Sequence, residues 1–195
     1  MTWQEIHQLD QQLTLQINSW YSDFTDPMWQ FFSNKYVWIP MYVAIVALLI
    51  WKLGWKKGLV VVAAAGLTFA FCDQISGVVK YAVERIRPLN DEYMMAHGLH
   101  VLEQGRGYSF FSAHAANAFG LASSTFAGLC ACIKERPTWL KAYGGWMYFW
   151  AFMVSASRVF VGKHYLGDVI IGALVGAVAG LVLGYLSGNV TRRIK

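Results

Sequence analysis

The chain has 195 residues, of which 56% are hydrophobic, 16% aromatic and only 14% charged, with a mean hydropathy of +0.38. An ordinary soluble domain carries about a quarter charged residues, so too few are present to clothe a water-facing surface, and the composition also excludes a disordered chain, a fibre and a disulfide scaffold. The net charge of +5 would indicate nucleic acid in a soluble protein; in a membrane protein it is what Lys- and Arg-bearing cytoplasmic loops supply, and no nucleic-acid partner is expected.

In chain order, residues 1–20 come first. Ile6, Leu9, Leu13, Leu15, Ile17 and Trp20 recur at helix-like spacing among Gln, Asp and Asn. The segment is too polar to span a bilayer and reads as an N-terminal amphipathic helix, lying at the membrane surface or capping the bundle. It holds acidic residues and no basic n-region, so it is not a secretory signal peptide. Five apolar runs follow, at about 36–51 (starting as early as Met28), 58–79 (interrupted by Asp73), 112–133, 142–157 and 165–186. Most approach the ~20 residues that cross a hydrocarbon core. Backbone groups in lipid must be satisfied within the segment, so each run is expected to be helical. The expected fold class is all-α: one domain over 1–195, an integral membrane bundle of about five transmembrane helices plus the N-terminal amphipathic or short membrane helix. Cys72, Cys130 and Cys132 are odd in number and lie in apolar stretches. They read as small buried hydrophobes, and no Cys/His spacing resembles a metal site.

Charge orients the bundle. Lys52, Lys56 and Lys57, then Lys134, Arg136 and Lys141, then Arg192, Arg193 and Lys195 all fall on one side under alternating topology. That side is expected to be cytoplasmic. The opposite side receives the acidic N-terminal segment and the long connection 80–111. The latter contains Lys80, Arg85, Arg87 and Arg106, which break the positive-inside trend and need another explanation. Trp38, Trp51, Trp55, Trp139 and Tyr165 sit at span ends as an aromatic belt would. Gly172, Gly176, Gly180 and Gly184 recur every four residues and would let another helix approach closely, inside the bundle more readily than between subunits.

Three polar clusters collect at the non-cytoplasmic side. Lys80 and Arg87 are seven apart, on one helical face if the helix runs on to Pro88. Ser112, Ala113 and His114 open the third run, where free N–H groups suit an anion. Ser157 and Arg158 precede His164 and Asp168, which are four apart, within reach of each other on a helix. Singly, each has an ordinary explanation: a Lys80–Glu84 helix pair, a core histidine at 114, snorkelling side chains at Arg158 and Lys163. Together, three cations, two histidines, a hydroxyl and a carboxylate at one depth are costly near a bilayer and point to function. Positive charge at a helix start indicates phosphate, and a His–Asp pair indicates an activated imidazole.

These clusters resemble the tripartite signature of the type-2 phosphatidic acid phosphatase family, KxxxxxxRP, PSGH and SRxxxxxHxxxD. Lys80, Arg87 and Pro88 match the first part, Ser112 and His114 the second, and Ser157, Arg158, His164 and Asp168 the third. The Pro and Gly of the second part are Phe111 and Ala113 here. Ala keeps the N–H but tolerates positive φ poorly, so a different local turn is expected.

The resemblance implies a membrane lipid phosphatase working through a phosphohistidine. His164 would be the nucleophile, Asp168 would hold the far ring N–H, and His114 would protonate the leaving oxygen and then activate water. Lys80, Arg87, Arg158, Ser112 and the N–H near Ala113 would hold the phosphate oxygens. Lys163 is a further candidate contact, with a solvated loop charge the simpler reading. Three fixed cations do the work of a metal, so neither metal nor other cofactor is expected. The partners implied are a lipid phosphate substrate and the bilayer, in the bacterial inner membrane with the site facing the periplasm or outside. Oligomeric state is open. Undecaprenyl diphosphate is weakly favoured as substrate because the chain is short, with lipid A phosphate next and phosphatidylglycerophosphate or phosphatidic acid as alternatives. The signature also resembles that of vanadium haloperoxidases, which are soluble, so five spans argue against them. A lipid-phosphate binding or transport protein without turnover is the non-enzymatic alternative.

Overall fold

The structure, a computed structural model, describes residues 2–133 and 135–194; Lys134 and Lys195, two of the expected cytoplasmic cations, lie outside them. All regular structure among the described residues is helical: α1 Trp3–Asn18, α2 Asp26–Ser33, α3 Ile39–Leu53, α4 Trp55–Val83, α5 Glu92–Ala96, α6 Ala113–Cys132, α7 Thr138–Phe160 and α8 Leu166–Thr191, with 3-10 turns at Lys35–Trp38 and Pro88–Asn90. The five apolar runs correspond to α3, α4, α6, α7 and α8. Among the described residues four segments, beginning at Lys35, Trp55, Ala113 and Leu166, are long and apolar enough to cross a membrane. The fifth, α7, has 23 residues but is rich in Trp, Tyr and Gly, and it turns Trp146, Phe149 and Phe152 outward.

The start of the first run resolves into a separate helix, α2. Asp26 and Pro27 open it, as acidic residues and proline favour. Asn34 ends it, and its side chain accepts the Tyr36 N–H at 3.0 Å, starting the next turn. Asp73 does not interrupt α4, which runs 29 residues. Nor does α4 reach Pro88: it stops at Val83, where Glu84 turns left-handed at φ +52°. Lys80 and Arg87 therefore do not share a helical face; Arg87 sits in the connection beyond. The Lys80–Glu84 pair does not form either, because the Glu84 carboxylate accepts the Tyr108 hydroxyl at 3.0 Å.

The closest helix pair is α6 with α8. Gly172, Gly176, Gly180 and Gly184 lie against the α6 backbone: a Cβ at these positions would meet Ser112 O at 2.5 Å, Ala116 O at 2.0 Å, Gly120 O at 2.5 Å and Ser124 O at 2.5 Å. The glycine row is thus spent inside the bundle. A second core of Ile45, Leu49, Val61, Leu129, Met147 and Trp150 joins α3, α4, α6 and α7. Ile194 lines a shallow recess with Lys56 and Lys57 at one end of the bundle. The N-termini of α6 and α8 and the C-termini of α4 and α7 form the other.

Helix α1 presents its polar face to the protein. Gln11, Thr14 and Asn18 are buried, while Trp3, Ile6, Leu9 and Leu13 are exposed. The Asn18 amide donates to Val159 O and to His100 O, both at 3.0 Å. Thr14 Oγ1 accepts the Leu166 N–H at 2.9 Å and Asp10 Oδ1 the Gly167 N–H at 2.8 Å. Two of the first-turn donors of α8, which no helical carbonyl can reach, are satisfied this way.

Candidate active site

His164 lies just before α8, not on it, and Asp168 lies in the first turn of α8. Their contact, His164 Nδ1 to Asp168 Oδ2, is 3.5 Å. It arises from the chain folding back at the helix start: the same carboxylate oxygen accepts the Tyr165 N–H at 3.1 Å. Between ring and carboxylate stands the fully buried Ser109, whose hydroxyl donates to Asp168 and lies 3.3 Å from His164 Nδ1. The other carboxylate oxygen accepts from Arg85 Nη1 at 2.7 Å. Arg85 also pairs with Asp10 at 2.8 Å and stacks over the Tyr165 ring at 3.8 Å.

The second ring nitrogen decides the tautomer. His164 Nε2 lies 3.3 Å from Arg87 Nη1. A guanidinium only donates, so Nε2 must be the acceptor and the ring proton must sit on Nδ1, facing Ser109 and Asp168. Burial drives the His164 pKa down from 6.5 to about 4, an effect that the neighbouring Asp168 opposes. At neutral pH the ring is therefore uncharged, with the Nε2 lone pair turned to the cavity.

The cations reach the cavity beside that nitrogen from different elements. Arg87 is fixed by its Nε on Arg106 O at 3.1 Å and by its Nη1 on Lys163 O at 3.1 Å. Arg158, buried at the end of α7, donates to Ser33 and lies 3.8 Å from Glu103. Lys163 is not a solvated loop charge: it pairs with Glu103 at 2.6 Å and lines the cavity. Lys80, in the last turn of α4, lines the same cavity. Ala113 and His114 form the first turn of α6. Ser112 is fully buried and caps α6, its hydroxyl accepting the Ala115 N–H at 3.4 Å. Ala113 has no positive φ, so replacing Gly leaves an ordinary helical start. The Ser112 N–H donates to Asp168 O at 3.0 Å, which ties the α6 and α8 starts together.

The cavity measures about 850 Å³. Its polar end holds Lys80, Arg87, His114, Arg158, Lys163 and His164. It continues between α3, α4, α6 and α7 along an apolar wall that includes Trp38, Tyr42, Leu49, Phe69 and Trp150. Ser109 and Ser33 carried no sequence signal. Arg85 did carry one, as a base that breaks the positive-inside trend. Among the described residues no cluster of three or more His, Cys, Asp or Glu is arranged to hold a metal.

The chain is similar to several known proteins. A lipid A 4'-phosphatase of Bacteroides thetaiotaomicron is 34% identical over 190 residues, covering 96% of this chain and 80% of that protein. A lipid A 4'-phosphatase of Porphyromonas gingivalis is 28% identical, covering 87% and 69%. An undecaprenyl-diphosphatase of Sulfolobus acidocaldarius is 33% identical, covering 74% and 60%. In fold, the crystal structure of a transmembrane PAP2-type phosphatidylglycerolphosphate phosphatase from Bacillus subtilis superposes with a TM-score of 0.71 at 21% identity, covering 98% of this chain and 88% of that one. The PAP2 superfamily profile matches residues 56–192, a stretch that includes Lys80, Arg87, His114, Arg158, His164 and Asp168, and the chain belongs to the PAP2 superfamily.

Proposed function

We propose that this protein is a membrane lipid phosphatase that removes a phosphate monoester from an acylated amino-sugar lipid of the lipid A type. The observation that carries the phosphatase reading is the placement of His164, its Nδ1 toward Ser109 and Asp168 and its Nε2 facing a cation-lined cavity. Nε2 attacks phosphorus and the P–O bond to the lipid breaks. His114 gives its proton to the leaving oxygen. The positive charge formed on the ring faces Asp168 through Nδ1–H, with Ser109 and Arg85 fixing that carboxylate. His114 then takes a proton from water, which attacks the phosphohistidine, releases phosphate and restores neutral His164. Lys80, Arg87 and Arg158 hold the non-bridging oxygens, and charge stabilisation of this kind is most of what phosphoryl transfer needs. Ser112 supports the site as a helix cap, and the α6 N-terminus offers the N–H groups near Ala113.

The apolar continuation of the cavity supports a lipid over a soluble ester. Similarity to two lipid A 4'-phosphatases supports the amino-sugar substrate. Undecaprenyl diphosphate, supported by the archaeal relative, is the second reading. The charge distribution supports an inner-membrane protein with the basic end in the cytoplasm and the site toward the periplasm. The outward apolar face of α1 supports its lying against the membrane surface at that end.

Phosphate release by the purified protein in detergent with excess EDTA tests this. Lipid A, undecaprenyl diphosphate, phosphatidylglycerophosphate and phosphatidic acid form the panel. Release from lipid A in EDTA is expected. Release only after a divalent metal is added sinks the metal-free mechanism, and none under any condition sinks the phosphatase reading.

The pH profile follows from the buried imidazole. The neutral ring is the nucleophilic form, so the acid limb of kcat/KM belonging to His164 has its midpoint near 4, not 6.5. The sign is the same for stability: between pH 6.5 and 4 the unfolded chain binds the proton and the folded one does not, so stability falls as pH falls through that window. A His164-dependent limb at 6.5 would contradict the burial argument.

A further inference from the structure

The carboxylate facing His164 is held by a row of charges that begins on α1, outside the stretch that the superfamily profile matches. Asp10 Oδ2 accepts from Arg85 Nη2 at 2.8 Å, and Arg85 Nη1 donates to Asp168 Oδ1 at 2.7 Å. His7, three residues before Asp10, turns its Nδ1 to the same Arg85 nitrogen at 3.2 Å. The side chains of Asp10, Arg85 and Asp168 are only 14%, 15% and 0% exposed, so salt and water screen them little. Asp10 is closely fitted. Its Oδ1 accepts the Gly167 N–H at 2.8 Å, and a Cβ on residue 167 would stand 2.8 Å from its Oδ2. Arg85 also reaches the site through its main chain. Its carbonyl accepts the Ser109 N–H at 2.8 Å, and Ser109 supplies the hydroxyl between Asp168 and His164.

The signs of these charges matter. Arg85 stands between two carboxylates, and one guanidinium neutralises one of them. With Asp10 present, the row keeps a net negative charge beside the His164 ring. When phosphorus bonds to Nε2 the ring becomes positive, and that negative charge balances it. Without Asp10, Arg85 and Asp168 form a neutral pair, and the positive ring is buried with nothing left to balance it. The effect is confined to the ring. Asp10 bonds to Arg85 and Gly167, and among the described residues it forms no hydrogen bond with Lys80, Arg87 or Arg158.

We infer that Asp10 is a positioning residue that neutralises Arg85 and thereby leaves the Asp168 charge free to balance the positive His164 ring. As a step in turnover the inference rests on the phosphatase reading above. As a statement about which charge faces the ring, it also governs any ligand that bonds to Nε2.

Asp10→Asn removes the charge and keeps the shape, because the amide oxygen still accepts the Gly167 N–H. On whichever lipid of the panel wild type hydrolyses best, kcat is expected to fall at least about tenfold with KM within about threefold. Adding Arg85→Gln should recover at least about fivefold of that loss, since no guanidinium then competes for Asp168. A purely structural role predicts the opposite, a second loss on top of the first. A smaller fall in kcat, a matching rise in KM or a smaller recovery overturns the inference. Binding at neutral pH reads the same charge without turnover. Dilute orthovanadate bonds to Nε2 with the five-coordinate geometry of phosphoryl transfer, whereas inorganic phosphate only rests in the cradle. Asp10→Asn should weaken orthovanadate at least about tenfold and phosphate less than about threefold. Equal weakening of both, or a wild type that binds orthovanadate no tighter than phosphate, overturns the inference. If wild type hydrolyses none of the lipids, the phosphatase reading fails, and the two anions still decide the role of Asp10. If Asp10→Asn fails to fold, Arg85→Gln is compared with the double variant. Removing Asp10 should then cost less than about threefold in either measurement, and a larger loss overturns the inference.

Discussion

Replacing His164 by alanine is expected to lower phosphate release by at least about 10³-fold, the order seen when a nucleophile is removed and only binding and charge stabilisation remain. Lipid binding should survive, because Arg87 and Arg158 are held mainly by other groups: Arg106 O, Gly107 O and Lys163 O for the first, Ser33 and Glu103 for the second. The companion change, His114→Gln, removes the proton donor and is expected to cost about 10²- to 10⁴-fold. The two differ in kind. Without His114, water attack on the phosphohistidine slows as well, so acid-labile phosphate should build up on the protein after exposure to labelled substrate. No label should appear on His164→Ala. Label on His164→Ala equal to wild type would place the nucleophile elsewhere.

The second large effect concerns the fold. A Cβ on Gly176 would stand 2.0 Å from Ala116 O, a backbone atom that no side-chain rotation can move away. Gly176→Ala should therefore force α6 and α8 apart and destabilise by about 1–3 kcal/mol, the usual range for overpacking. The same substitution at Gly145, in α7 with nothing within 4 Å of its Cβ, should stabilise by about 0.4–1 kcal/mol through the unfolded chain. Thermal unfolding in detergent reads both. Activity should fall with stability in the first variant, because separating the helices breaks the Ser112 N–H to Asp168 O bond that joins the two histidine-bearing ends. Equal unfolding temperatures for the two variants would show that the glycine row is not the close contact described.

The long helices were legible because lipid forces a simple rule: an apolar run of sufficient length must be a helix. The rule is silent on where a helix stops. The end of α4 at Val83 depends on Glu84 turning left-handed and on Tyr108 meeting it from 24 residues away, and no local pattern announces either. The signature positions were legible from their spacing, and so was the set of cations Lys80, Arg87 and Arg158. The support around them was not. Ser109 reaches Asp168 across 59 residues and has no distinguishing neighbours. Arg85 was conspicuous as a base, yet its partners Asp10 and Asp168 come from opposite ends of the chain. Helix α1 shows a subtler limit. Its periodicity was plain, but amphipathicity has a direction only relative to a solvent. Here Thr14 and Asn18 turn inward to answer loose backbone groups and Gln11 to meet the Asp91 carboxylate, while Leu9 and Leu13 turn out.

The bundle contains two kinds of helix contact. Between α6 and α8 backbone lies on backbone, with almost no side-chain atoms between. Around the groove formed by α3, α4 and α7, large aromatic and aliphatic side chains face open space. The first contact has no rotamers to change, so the spacing of His114, His164 and Asp168 is insulated from whatever fills the groove. The second can be reshaped one side chain at a time. Evolution can thus retune which lipid is held by altering positions such as Trp38, Tyr42 or Leu49 while the chemistry stays untouched. Modularity of this kind lets one scaffold keep a single reaction and diversify its clientele.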